Sequence, residues 1–225
     1  MLCRNSGSGA EGEAMQVPAG ERVEALLFDL GRVVIDFDNS LAWARWAELA
    51  RLPVAAVEHR YRTGVADSEA FRRHERGQLS DAAFFAHLRG TLQVDLTYEQ
   101  LVDGWNSIFV GEMPGVRRLL SGARDVLPIY AFTNSNAVHQ AYCQGHFAEL
   151  LAPFRKVYSS HLIGARKPEM SAFHAVAADM GVPPQRILFL DDLAANVAGA
   201  KASGMRAAHV TAVTDIERAL SGLMQ

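Results

Sequence analysis

Val23–Leu30 reads VEALLFDL and is followed at once by Gly31. This stretch decides the fold. Its apolar residues run almost without a polar break, as in a strand buried on both faces, and it closes on an acid and a glycine where such a strand opens into a loop. Three similar runs follow: Val126–Thr133 (VLPIYAFT), Lys156–Ser160 (KVYSS) and Ile187–Leu190 (ILFL). Each leads into polar residues and then a helical period, and Ala207–Val210 adds a weaker fifth strand. This alternation predicts an α/β fold around a parallel sheet.

The helix after the third strand is clearly punctuated. Pro168 suits a first helical position, Met170, Phe173, Ala177 and Met180 share one face, and Gly181 with Pro183 stops it. Between Asp36 and Met113 the strand signal vanishes. Helical periods occupy Leu41–Leu52, Glu69–Arg76, Ala82–Arg89 and Tyr98–Phe109, which predicts an inserted helical unit. Within it, Thr97 and Gln100 have the spacing of a capping box, with Leu96 and Leu101 placed to staple the same helix start. Trp43, Trp46, Ala47 and Ala50 recur at helical spacing, which predicts core packing.

Composition narrows the functional classes. The chain has 225 residues, of which 49% are apolar and 21% charged, enough to bury a core and to exclude disorder throughout. Lys and Arg number 22 against 25 Asp and Glu, with no basic run, so nucleic acid is not an expected partner. No apolar stretch approaches the ~20 residues of a membrane helix, so no membrane association is expected. Met1–Gly20 is rich in small and polar residues and lacks the apolar stretch of a secretory signal. A flexible tail over residues 1–20, with Met15 as an alternative start, and a cytoplasmic location are expected. Cys3 and Cys143 are too few for a disulfide framework or a zinc knuckle. The expected assembly is a monomer or a weak homodimer.

In open parallel sheets, ligands bind where loops converge at the carboxyl ends of strands. Asp29 and Gly31 follow the first strand; Thr133, Asn134 and Ser135 the second; Arg166, Lys167 and Pro168 the third; Asp191, Asp192 and Asn196 the fourth. Singly, each has an ordinary role. Asp29 can close a turn, Thr133 can pair with backbone, Lys167 can be solvated, and Asp192 can cap a helix beginning at Leu193. As a set they differ. Carboxylates gathered at one rim repel unless a cation neutralises them, and oxygen-only donors point to Mg2+. A lysine beside them suits an anionic substrate such as a phosphate.

FDLGRVVIDFD, FTNSN, GARKPEMSAF and FLDDLAANVAGAKASGM, in that order, resemble the four motifs of the haloacid dehalogenase-like hydrolases. The chain resembles the bacterial alpha-D-glucose-1-phosphate phosphatases above all and is also similar to the amino-terminal phosphatase domain of soluble epoxide hydrolases; HERGQLSDAAF and YEQLVDGWNSIFV resemble the cap of the former. The resemblance implies a Rossmann-like core over residues 21–36 and 114–225, with strand order 5-4-1-2-3. It also implies a small α-helical cap over residues 37–113, hinged near Asp36–Asn39 and Gly111–Gly115. The implied activity is hydrolysis of a small-molecule phosphate ester such as alpha-D-glucose 1-phosphate. By motif position, Asp29 is the nucleophile, Thr133 and the backbone of Asn134 bind phosphoryl oxygens, and Lys167 offsets charge. Mg2+ is implied between Asp29, the carbonyl of Gly31 and Asp192, with Asp191 and Asn196 holding its water.

One position departs from the pattern. Most phosphatases of this superfamily carry a second Asp two residues after the nucleophile, and here that residue is Gly31. The glucose-1-phosphate phosphatases also show Gly there, and an anomeric oxygen leaves with less help from an acid. His74 and Glu75 are candidates for the missing base, although His74, near a helix end before Gly77, is more ordinarily solvated or held by the helix dipole. Arg32, Arg76 and Arg166 are placed where they can contact substrate, but the ordinary expectation is that such arginines are solvated or paired. Two rival readings remain. One is a metal-free 2-haloacid dehalogenase, against which Asp191 and Asp192 speak. The other is a non-catalytic phosphate-binding protein, against which Asp29 and Lys167 speak.

Overall fold

The computed structural model describes residues 22–221, so the expected tail, Met15 and Cys3 lie outside the described residues. The chain runs β1 (Ala25–Phe28), β2 (Ile35–Phe37), α1 (Asn39–Ala50), α2 (Val54–Gly64), α3 (Glu69–Glu75), α4 (Asp81–Leu92), α5 (Tyr98–Asn106) and β3 (Phe109–Glu112). It continues through α6 (Val116–Val126), β4 (Ile129–Thr133), α7 (Ala137–His146), α8 (Ala148–Leu151), β5 (Val157–Ser159), α9 (Ser160–Ile163) and α10 (Met170–Met180). The last elements are β6 (Ile187–Asp191), α11 (Ala194–Ala202), β7 (Arg206–His209) and α12 (Val213–Ser221).

Five strands form a parallel sheet in the order β5-β4-β1-β6-β7. Counted among themselves along the chain, these strands read 5-4-1-2-3 from the β7 edge, the order expected from the motifs. β1 is buried on both faces because successive side chains alternate. Leu26 and Phe28 join a cluster with Leu119 and Leu120 of α6 and Ile216 of α12. Leu27 faces the other way, into a cluster with Phe173 of α10 and Val197 of α11. Strand order reverses between β1 and β6, so the loops that follow them diverge and open a crevice.

A third cluster joins α1, α2, α4 and α5 around Trp46, Tyr61, Phe84 and Trp105. Trp46 packs there as expected and donates Nε1–H to the Leu101 carbonyl at 3.0 Å. The capping box at Thr97 and Gln100 is present in both directions.

The structure corrects several sequence expectations. Strand does not vanish between Asp36 and Met113, because β2 and β3 pair as an antiparallel ribbon. Its short, half-exposed strands carry no sustained apolar pattern. The helix expected over Tyr98–Phe109 therefore stops at Asn106. α2 is additional and buries only Val57 and Tyr61, too little to print a clear period. Pro168 is not helical: the Lys167–Pro168 bond is cis, α10 starts at Met170, and Met170 is half exposed. Asp192 does not cap α11, which begins at Ala194; the Leu193 N–H instead donates to Asp191 Oδ1 at 2.8 Å. Among the described residues, no helix is long and apolar enough to cross a membrane.

Candidate active site

The loops after β1, β4, β5 and β6 open into one cavity of about 860 Å3, roofed by α1–α3 and α5. Asp29, Gly31, Thr133, Asn134, Lys167, Asp192 and Asn196 all line it, so the sequence places seven of its eight candidates on one surface. The eighth, Asp191, is fully buried just behind.

Lys167 is 1% exposed, and its Nζ donates to Asp29 Oδ1 at 2.7 Å, Asp191 Oδ2 at 2.8 Å and the Phe132 carbonyl at 2.8 Å. All three ammonium donors are therefore used. Burial works against its charge, but Asp29 and Asp191 outweigh burial and hold its pKa above the ordinary lysine value. Asp29 feels the opposite balance. Burial and the neighbouring Asp191 push its pKa up, and Lys167 only partly offsets them. Asp29 Oδ1 also accepts from Leu30 N–H at 2.7 Å, which leaves Oδ2 as the oxygen without a described donor.

Backbone clasps fix these groups. Asn134 Nδ2 donates to the Lys167 carbonyl at 2.9 Å, and Lys167 N–H donates to Asn134 Oδ1 at 2.8 Å. The Asn134 side chain thus holds the lysine loop, a task not foreseen for it. Asn196 likewise turns to Asp191, donating Nδ2–H to Oδ1 at 3.0 Å and Oδ2 at 3.1 Å. It orients that carboxylate, which the sequence had paired only with water.

Asp29, Asp191 and Asp192 present carboxylate oxygens all within 4.8 Å of one another. One lysine cannot neutralise three such groups. Burial and Asp191 also push the half-buried Asp192 upward. An all-oxygen donor set with excess negative charge and no sulfur or imidazole fits a hard divalent cation.

Gly31 has a packing reason. A Cβ there would lie 2.9 Å from Phe37 Cε1, so a side chain requires the ring to move. The Arg32 guanidinium lies 4.9 Å from the centre of the same ring.

The cavity also takes in Glu75, a candidate for the missing base, and Arg166, expected to be solvated or paired. Arg166 is one-fifth exposed and faces Glu75 of α3, Nε to Oε2, at 2.7 Å. Their separation of 91 positions leaves no local signal. His74, in contrast, is neither solvated nor in the cavity. It is 2% exposed, stacks on Phe84 at 4.0 Å and bonds Asp81 through Nε2 at 2.7 Å.

A family model described as haloacid dehalogenase-like hydrolase matches residues 23–204. The chain is 30% identical to phosphatase MT3486 of Mycobacterium tuberculosis, over 82% of this chain and 86% of that protein. It is 26% identical to a D-ribitol-5-phosphate phosphatase of Bacteroides thetaiotaomicron, over 78% and 85% of the respective chains. A family enzyme of Bacteroides thetaiotaomicron, solved in complex with magnesium and inorganic phosphate, superposes with a TM-score of 0.73 at 25% identity, covering 85% of this chain and 96% of that one. Match, fold and rim geometry agree: the chain belongs to the haloacid dehalogenase-like hydrolases.

Proposed function

We propose that this family member is a Mg2+-dependent phosphatase of small phosphorylated metabolites that works through a phosphoaspartate on Asp29. The observation that carries the reading is the buried Asp29–Lys167–Asp191 cluster, which opens onto a cavity large enough for a sugar phosphate. Relatives named as phosphatases, one acting on ribitol 5-phosphate, support the reaction class.

Asp29, Asp192 and the Gly31 carbonyl would hold Mg2+, with Asp191 and Asn196 behind them. When bound, the ion offsets the negative charge shared by the carboxylates and the phosphate. Asp29 Oδ2 attacks phosphorus; an O–P bond forms while the ester O–P bond breaks, and the leaving oxygen takes a proton from solvent water. Thr133 and the Asn134 backbone receive phosphoryl oxygens, and Lys167 aims Asp29 and, with the bound cation, would favour its ionised form against burial. Water then attacks phosphorus, the aspartyl O–P bond breaks, and Asp29 and inorganic phosphate are released. Residues 37–113 act as a cap that closes through the β2–β3 ribbon.

Phe37 fills the space that an acid at position 31 needs, so the leaving oxygen departs without that acid. This favours sugar phosphates with good leaving groups, alpha-D-glucose 1-phosphate among them. A panel of sugar 1-phosphates, sugar 5- and 6-phosphates and haloacids, with Mg2+ and with EDTA, tests the reading. Phosphate release that EDTA abolishes, fastest on the 1-phosphates, is expected. Halide release without metal refutes the reaction, and faster turnover of the 6-phosphates refutes the leaving-group preference.

A further inference from the structure

We propose that Glu75 and Arg166 form a hydroxyl-reading subsite, so that the substrate is the phosphate ester of a polyhydroxylated carbon chain and not of an apolar alcohol. The inference rests on the phosphatase reading and deepens it.

Consecutive cap residues reach consecutive stretches of the core with crossed charges. Arg76 donates Nε–H and Nη2–H to Glu169 Oε1 at 2.9 and 2.5 Å. One residue earlier, Glu75 and Arg166 stand as close, 2.7 Å, but the Nε–H is not directed at the carboxylate. Glu75 Oε2 and Arg166 Nε are both buried without a hydrogen bond. Contact of opposite charges offsets part of their desolvation while the hydrogen-bonding capacity of both atoms stays unused. Retaining two in contact, beside a fully bonded pair, marks capacity held for a ligand.

The backbone cannot drift to repair the pair. Gly77, at φ 68°, presses the end of α3 onto α9, where a Cβ would lie 2.2 Å from the His161 carbonyl oxygen. The other groups acting on Glu75 are Lys167, Asp67, Tyr61 and Arg76. Asp67 also lies 3.8 Å from Arg166. Burial pushes the Glu75 carboxyl up to about 7 despite Arg166, so the guanidinium leaves it incompletely stabilised.

A hydroxyl group has the complementary chemistry, since its O–H donates to Glu75 Oε2 while its oxygen accepts from Arg166 Nε–H. An alkyl chain at the same place leaves the hydrogen-bonding directions of both groups unused. A site built to bond a hydroxyl therefore discriminates strongly against the analogue lacking it.

The test is steady-state kinetics, with Mg2+, on a polyol phosphate and an alkyl phosphate of equal chain length, for wild type, Glu75→Leu, Glu75→Gln and Arg166→Met. Wild type is expected to favour the polyol phosphate about 100-fold or more in kcat/KM. Glu75→Leu and Arg166→Met are expected to lose most of that preference through KM, while the alkyl phosphate changes less than about threefold and Glu75→Gln restores part of the preference. Wild type without preference overturns the inference, as does an equal loss on both substrates in either folded variant. Hydrolysis by wild type of neither ester and of no sugar 1-phosphate refutes the phosphatase reading itself.

Discussion

The rim of the parallel sheet and the helical layer above it hold buried charge in opposite ways. At the rim, Lys167 spends every donor on Asp29, Asp191 and a backbone carbonyl, and Asn134 and Asn196 lock the loops that carry them. Where the layer above meets that rim, Glu75 of α3 and Arg166 of the lysine loop stand at the same distance with their hydrogen-bonding directions unused. Complete bonding preorganises the rim for the part of the substrate that never varies, the phosphoryl group. Incomplete bonding leaves the roof free to read the part that does.

The comparison can be broken most forcefully at the rim. Asp29→Asn is expected to lower kcat about 1000-fold or more without unfolding the chain, measured by phosphate release beside a thermal melt. Lys167→Ala strands two buried carboxylates, so a loss of about 3 kcal/mol in chemical denaturation is expected together with a 100-fold or greater fall in kcat. A comparably small effect from either variant would equate rim and roof.

Metal sharpens the same contrast. Mg2+ at 100 times its Kd is expected to stabilise wild type by about 2.7 kcal/mol, several degrees in melting temperature, and to leave Asp29→Asn nearly unmoved. The roof has its own signature in EDTA. Burial pushes the folded Glu75 carboxyl up to about 7 from an ordinary 4.5, so the folded state binds its proton more tightly than the unfolded state. Stability is therefore expected to fall as pH rises from about 4.5 to about 7, by an amount on the order of 2 kcal/mol that Glu75→Gln removes. The smallest effect concerns Gly31. Gly31→Asp alone is expected to change turnover of alkyl phosphates little, and to raise it about tenfold once Phe37→Ala clears the ring.

The same division explains what was legible in the sequence. β1, β4, β5 and β6 announce themselves because strands buried on both faces read as apolar runs, and Asp29, Thr133, Lys167 and Asp192 become candidates simply by ending or following them. The roof is different. α2 and the β2–β3 ribbon bury too few residues to show a period. The Glu75–Arg166 and Asn196–Asp191 contacts and the burial of His74 between Phe84 and Asp81 are products of packing. Pro168 reads as helical because proline suits a first turn, yet α10 starts two residues later, at Met170.

Covalent capture of phosphorus by Asp29 can be tested by rapid acid quench of the Mg2+-loaded enzyme during turnover in 18O-labelled water, followed by digestion and mass spectrometry. A phosphoryl group on the peptide carrying Asp29 alone, with the label recovered in released phosphate, is predicted. Unmodified Asp29 throughout turnover, or label in its carboxylate, would contradict the account.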